Sequence, residues 1–331
     1  MPTGIETQPP GKEGEFALAH FSDPHLTELH GIRRRQLLNK RALGYRNWRQ
    51  NRRHEHRPEV LAALLADLRR LVPDHLVITG DLTHLGTPRE FREVAAWLAT
   101  VASPTDLTVV PGNHDTYVHE PWDTTLAQWA PYMASDLGID ADLGQEADSF
   151  FPSLRIRSDF ALIGVNSARP SPPLLAVGSI GPRQMRKLGE VLEQTRRRGL
   201  CRVLLIHHPP VPGSIGWRKR LTDCRGLQDL IAEHGVEMVL HGHAHTSSLN
   251  WLDTPLGAAP VIGVRSASSV GRKPGHRAQY HVHRLTAQGD GWRMRVSVRE
   301  YDPEQGLFVP TKEWEIGLGA SRSQKVAKPA D

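Results

Sequence analysis

The stretch Val239-Leu240-His241-Gly242-His243-Ala244-His245 ends an apolar run in imidazoles. An expected buried strand (Met238, Val239, Leu240) that stops at a glycine and then presents histidines is poor core material and good metal-site material. His243 and His245 are two apart. On a turn after a strand, that spacing aims both rings at one centre or at two neighbouring centres. Neutral imidazole is the commonest protein ligand for transition metals. The competing reading is three histidines in a solvated loop, and only partners elsewhere in the chain can decide.

Four more apolar runs end in residues that ligate metals. Phe16–Ser22 leads into Asp23-Pro24-His25. His75–Thr79 leads into Gly80-Asp81. Leu107–Pro111 leads into Gly112-Asn113-His114-Asp115. Cys201–Ile206 leads into His207-His208-Pro209-Pro210. Each is a buried-strand pattern closed by polar residues and turn formers. Open α/β sheets collect ligands beyond the carboxyl ends of their strands, so the five ends are expected to converge.

The set resembles the calcineurin-like metallophosphoesterase superfamily, whose signature runs D-x-H, G-D, G-N-H-[DE], H and G-H-x-H. Here these are Asp23/His25, Gly80-Asp81, Gly112–Asp115, His207 and Gly242–His245, in that order, over roughly residues 16 to 285. The Gly80-Asp81-Leu82-Thr83 and His207-His208-Pro209-Pro210 versions look most like the branch of cyclic-nucleotide and glycerophosphodiester phosphodiesterases. The resemblance implies two metal ions bridged by Asp81. Asp23, His25 and His245 would join Asp81 on the first ion, and Asn113, His207 and His243 on the second. It also implies that His114 contacts the phosphoryl group or protonates the leaving oxygen, that Asp115 fixes its tautomer, and that a bridging hydroxide is the nucleophile.

That donor set suits the reaction. Phosphate-ester hydrolysis needs neutralised phosphoryl oxygens and a nucleophile at neutral pH, which two ions about 3.5–4 Å apart supply. A mixed set of carboxylate, amide and imidazole donors suits Mn, Fe or Zn. No G-x-x-x-x-G-K-[ST] loop or G-x-S-x-G elbow supports another chemistry. The expected activity is a dinuclear metal-dependent phosphohydrolase, foremost a phosphodiesterase. A nuclease, a phospholipid or pyrophosphate hydrolase and a non-catalytic metal-binding scaffold are the alternatives.

Strands alternating with helices at about 58–71, 88–100, 182–198 and 224–234 predict crossover units with parallel pairing. Strands at about 150–158 and 160–167 flank a turn, and residues 121–149 read as helical, then loop. Alternating segments from Ser248 to Trp314 read as antiparallel strands of a second sheet. The expected fold is a four-layer α/β/β/α sandwich, two mixed sheets flanked by helices. It would span residues 16–317, between a disordered 1–15 and a flexible tail at 318–331.

Ten of the 41 basic residues and one of the 36 acidic ones fall between Arg33 and Arg57, so the remainder carries 31 against 35. The positive charge is therefore local to an insertion at about residues 29–57. Leu37, Leu38, Ala42, Tyr45 and Trp48 fall on one helical arc there, with Arg41 and Arg49 among them. The plain reading is a solvated or partly packed helical excursion; an anionic membrane surface, a nucleic acid, or a lid that steers an anionic substrate would each use it. Its departure from Asp23-Pro24-His25 favours the lid. The polar first fifteen residues, two cysteines and lack of a membrane-length apolar run point to the cytoplasm, with peripheral membrane binding as an option. Of the remaining histidines, His84 reads as a solvated loop residue, His208 as a support for His207, and His241 and His20 as packed. His281 and His283 read as one face of the second sheet, not as a third metal site. Asn166 ends a strand that reaches towards the site.

Overall fold

The apolar runs pair into two six-stranded sheets in the computed structural model, which describes residues 14–26, 28–136, 150–272 and 275–319. The expected disordered start and flexible tail fall almost wholly outside these residues. The first sheet has the order β12-β11-β10-β1-β2-β3, with β1 Glu15–Phe21, β2 His75–Ile78, β3 Leu107–Val109, β10 Gln279–Gln288, β11 Gly291–Asp302 and β12 Leu307–Leu318. The second has the order β4-β5-β6-β7-β9-β8, with β4 Ser153–Arg157, β5 Phe160–Val165, β6 Cys201–Ile206, β7 Met238–His241, β8 Ser248–Thr254 and β9 Gly257–Gly263. Both sheets are mixed: β1, β2 and β3 run parallel, as do β5, β6, β7 and β9, while the remaining strands pair antiparallel.

Helices cover both outer faces. Pro58–Leu71 (α2) and Pro88–Val101 (α3) pack on the first sheet's side through Val60, Leu61, Leu64, Phe91, Val94 and Leu98. Pro182–Arg197 (α4) and Cys224–His234 (α5) cover the second through Leu188, Leu192, Leu227 and Ile231. Three of these four begin at proline, whose fixed φ and missing N–H suit a first turn. At α3, Thr87 and Glu90 cap each other's backbone N–H groups. The strands read as continuous apolar runs because both faces are covered. On β6, Val203 and Leu205 belong to the cluster between the sheets, and Leu204 and Ile206 to the cluster under α4 and α5. Phe16 stacks on Phe160 across the sandwich, with ring centroids 4.6 Å apart.

One expectation is corrected. The C-terminal strands do not all build the second sheet: β8 and β9 do, but β10, β11 and β12 extend the first. The open edge of β1 is buried, and unpaired backbone groups there would be costly. β10 covers that edge in register from Glu15↔Thr286 to His20↔His281. Tyr280 on β10 then donates to Asp67 of α2 at 2.5 Å, and Arg299 of β11 binds the same carboxylate. His281 and His283 therefore sit beside β1, not on the second sheet.

The insertion is helical. Arg41–Asn47 (α1) runs on through a π turn, Trp48–Arg52, and a last turn, Arg53–Glu55. Of the expected arc, Trp48 is buried, against Leu29 and Leu85, whereas Leu38 is exposed. Arg41 is also buried, bonded to Glu120 at 2.6 Å and to the carbonyls of Leu85 and Gly86. Residues 122–133 form three short helical turns, and the rest of the 121–149 segment lies largely outside the described residues.

The strands that end in His207 and His243 are tied at their other ends. Arg202 on β6 bonds Glu237, just before β7, through Nε and Nη2, both at 3.0 Å, and donates from Nη1 to the His234 carbonyl. Both side chains are buried. Removing one partner strands a buried charge, so Glu237→Ala should lose about 3–5 kcal/mol of unfolding free energy. Urea denaturation reads this directly, and the double replacement Arg202→Met/Glu237→Leu should recover most of it.

Candidate metal centre

All five strand-end motifs meet above the carboxyl edges of β1, β2, β3, β6 and β7. They form two ligand groups that share one residue: Asp23, His25, Asp81 and His245 in one, Asp81, His207 and His243 in the other. Asn113 joins the second group through Oδ1, 3.2 Å from His207 Nε2. His245 Nε2 lies 3.1 Å from Asp23 Oδ1, and His207 Nε2 lies 3.4 Å from Asp81 Oδ2. The seven residues named as ligands from the sequence are thus brought together.

The backbone shapes this convergence. Asp23, His25, Asp81, His243 and His245 all have φ between 42° and 67°. The left-handed region is unusual for residues with a Cβ, although Asp and His tolerate it better than most. It turns each chain sharply at the strand end, so that the side chain aims inward. Close approach is also needed: a Cβ on Gly242 would overlap Ser22 and Asp23, and one on Gly112 would overlap Asp81.

The hydrogen bonds leave the right atoms free. His25 Nδ1 lies 2.9 Å from the Thr83 carbonyl, His207 Nδ1 2.7 Å from the Thr79 carbonyl, and His243 Nε2 2.9 Å from the Lys219 carbonyl. A carbonyl can only accept, so each of these nitrogens carries a proton, and in a neutral ring the other offers its lone pair inward. That is how metal-ligating imidazoles are usually oriented. Burial keeps His25 and His243 neutral by pushing their proton affinity well below the ordinary value. Burial also opposes protonation of His207, but the neighbouring Asp81 carboxylate outweighs it and lifts that ring to about 9. Asp23 is held well below the usual carboxylate range, against the effect of burial, by His245. One Asp23 oxygen has no hydrogen-bond donor although it is buried. Two mutually close groups of N and O ligand atoms fit cations.

His114 stands beside Asp81, donating its backbone N–H to Asp81 Oδ1 at 2.7 Å. The expectation that Asp115 fixes its tautomer is corrected. His114 Nδ1 donates instead to the His84 carbonyl at 2.6 Å, while the Asp115 carboxylate accepts from Thr83 and from the backbone N–H of Gly112. Asp115 lies behind the loop, bracing Gly112 against Thr83. Burial, then Asp81, raises its carboxyl to about 7. His84 is corrected too: it is buried, not solvated, and its ring stacks on His25 at 5.1 Å. Glu90, at the first turn of α3, draws the His84 N–H inward at 2.7 Å. His208 bonds Ser167 and the Ala176 carbonyl beside His207. Asn166 takes the Ala168 N–H and lines a neighbouring cleft.

A cleft of about 610 Å³ opens on the two groups, lined by Asp81, His114 and His243. The sequence reading missed who else stands there: Arg52 from the π turn, His56, Lys219 and Arg272. Arg52 Nη1 reaches within 3.5 Å of His25 Nε2. Its signal was faint but present, since Arg52 follows the buried Trp48 by four residues, one helical turn on the same face. His56 packs on His25 at 4.5 Å and bonds Ser268. Among the described residues, no helix is long and apolar enough to cross a membrane.

Comparison with known proteins adds the family. A family model described as calcineurin-like phosphoesterase matches residues 16–247. A protein of Rhodococcus erythropolis, called a probable cyclic nucleotide phosphodiesterase, is 30% identical over 194 residues, 57% of this chain and 56% of its own. A Synechococcus protein with the same description is 28% identical over 196 residues, 56% of this chain and 62% of its own. The match thus spans little more than half of these relatives. A dimetal phosphatase from Danio rerio shares the fold, with a TM-score of 0.57 at 14% identity, over 89% of this chain and 98% of that one.

Asp81 is common to both ligand groups and His114 belongs to neither. Asp81→Asn should therefore lower the metal retained after gel filtration, measured by inductively coupled plasma mass spectrometry. His114→Ala should leave it unchanged, and a loss of metal in that variant would place the ring among the ligands.

Proposed function

The chain belongs to the calcineurin-like phosphoesterase family, and we propose that it is a metal-dependent phosphodiesterase acting on cyclic nucleotides. The observation that carries this reading is the sharing of Asp81 between two ligand groups at the foot of a cleft that His114 also lines. The descriptions of the relatives favour a diester, and the rim of Arg52, Lys219 and Arg272 favours an anion.

Asp23, His25, Asp81 and His245 would hold one ion, and Asp81, Asn113, His207 and His243 the other, with Mn, Fe or Zn suited to these donors. Bound there, the ions supply charge neutralisation at the phosphoryl oxygens and a water acidified enough to react at neutral pH. The chain's own groups do the rest. Arg52 donates to a non-bridging phosphoryl oxygen from the side of His25. His114, its Nδ1 proton held by the His84 carbonyl, presents Nε2 to the cleft. Burial, then Arg52, keeps the free ring neutral, its pKa lowered to about 3. An anionic phosphate beside it favours the cation, which can then hand a proton to the leaving oxygen. The steering role of the basic insertion is the one that Arg52 supports.

The direct test is hydrolysis of bis(p-nitrophenyl) phosphate against p-nitrophenyl phosphate, with Mn²⁺ and with chelator. A chelator-sensitive preference for the diester is expected, followed by turnover of cyclic AMP; preference for the monoester would make the chain a phosphatase. His114→Ala should lower kcat by about 10²–10⁴ while metal stays bound. Arg52→Ala should lower kcat/KM by about 10–100-fold, the loss of a charge-assisted hydrogen bond of about 1.5–3 kcal/mol. Arg52→Lys should restore part of it.

A further inference from the structure

Three other imidazoles meet in the interior of the sandwich. His20 lies on β1, and His281 and His283 are alternate residues of β10. The pairing puts His20 opposite His281 and Leu18 opposite His283. Alternate residues share a face of a sheet, so all three rings project from one face. It is the face turned to the second sheet, since Phe16, in phase with His20 on β1, stacks on Phe160. The ring centroids form a triangle with edges of 5.9, 6.1 and 6.5 Å. One nitrogen from each ring lies within 4.8 Å of the other two.

Nothing in the fold accounts for these rings as packing. None is more than 3% exposed. His20 Nδ1, His281 Nδ1 and both nitrogens of His283 are buried without a hydrogen-bond partner. An unmet buried polar atom costs about 1–3 kcal/mol, and phenylalanine or leucine would fill the space without that cost. The partners that do exist point one way. His20 Nε2 lies 2.9 Å from Thr79 Oγ1, and His281 Nε2 lies 3.1 Å from Gln279 Oε1. An oxygen on one ring nitrogen and a bare lone pair on the other is the usual arrangement of a metal-ligating histidine. Burial keeps all three rings neutral, as ligation requires.

We propose that His20, His281 and His283 form a third metal site, which takes one transition-metal dication such as Zn²⁺ through a nitrogen of each ring. Zinc sites with three protein ligands keep a fourth position open. Here a cleft of about 440 Å³, lined by His281, Gln279, Ser247, Arg265, Glu300 and Trp314, reaches one of the three rings, His281. Of the two cations that line this cleft, Arg265 and Lys312, Arg265 is paired with Glu300 at 2.7 Å. A purely imidazole set excludes Mg²⁺ and Ca²⁺, which want oxygen. The ion would pin β10 to β1 immediately upstream of Asp23.

The test is a metal count on the whole chain. Protein is incubated with excess Zn²⁺, freed of unbound ion by gel filtration, and analysed by inductively coupled plasma mass spectrometry. His281→Gln and His283→Gln, checked for native circular dichroism, should each hold one equivalent fewer than the parent and keep its phosphodiesterase activity. Asp81→Asn should hold at least one equivalent, which His283→Gln in the same chain removes. Equal counts in parent and histidine variants would overturn the site and mean that water alone fills it. An Asp81→Asn chain holding no Zn²⁺ would overturn it equally, without any change to the three rings. Because the count changes at His281 and His283, it can fail while the phosphodiesterase reading stands, and the reverse.

Discussion

The centre depends on how closely the loops after five strands can approach one another. Gly112 lies against the carboxylate of Asp81, and Gly242 against Ser22 and Asp23, at separations that leave no room for a methyl group. Five of the seven candidate ligands, all but Asn113 and His207, then have left-handed backbone, a conformation that costs on the order of 1–3 kcal/mol per residue when unsupported. Support comes from the bonds between loops: Asp23 N–H to the Gly80 carbonyl, His25 N–H to the Asp81 carbonyl and His243 N–H to Asp23 Oδ2. The loops hold one another in shape, and the two sheets hold the loops.

A second constraint is that imidazoles must be neutral and correctly tautomeric to ligate. The tautomer is set by main-chain carbonyls, at Thr79, Thr83 and Lys219, and burial keeps His25 and His243 neutral. Thr79 is doubly used, since its carbonyl orients His207 while its hydroxyl meets His20. The order of β2 therefore reaches both clusters of histidines.

Much of this was legible in the sequence, for a local reason. Each motif of candidate ligands sits at the end of its own apolar run, so the strand, the turn and the donors appear within one short window. What was not legible is what neighbours in space decide. Asp115 follows His114 and invites pairing with it, yet the loop turns it towards Thr83 and Gly112. His84 reads as a loop residue because nothing nearby reveals that Glu90 will draw it under His25. Tyr280–Trp314 alternates as a sheet edge should, but the pattern does not say which sheet. That is fixed by the bare edge of β1, and by Asp67, which receives Tyr280 and Arg299 from two strands at once.

The basic insertion leaves the first sheet after His25 and returns at Pro58, and it contributes no strand to either sheet. Lys40, near its start, grips the Pro-rich loop through Ser171 and Leu175, and His56, at its end, meets Ser268. Between these moorings lie Arg52 and the cleft-facing Asn47 and Asn51. The donors for metal come from the strand ends, whereas this wall of the cleft comes from one uninterrupted piece of chain. Part of the cleft wall is thus separate in sequence from the candidate metal ligands. The segment's middle can change in length or sequence while both sheets keep their hydrogen bonds, and among the described residues only its end is tied by main chain, through Glu55 to Val270 and Arg57 to Ser268.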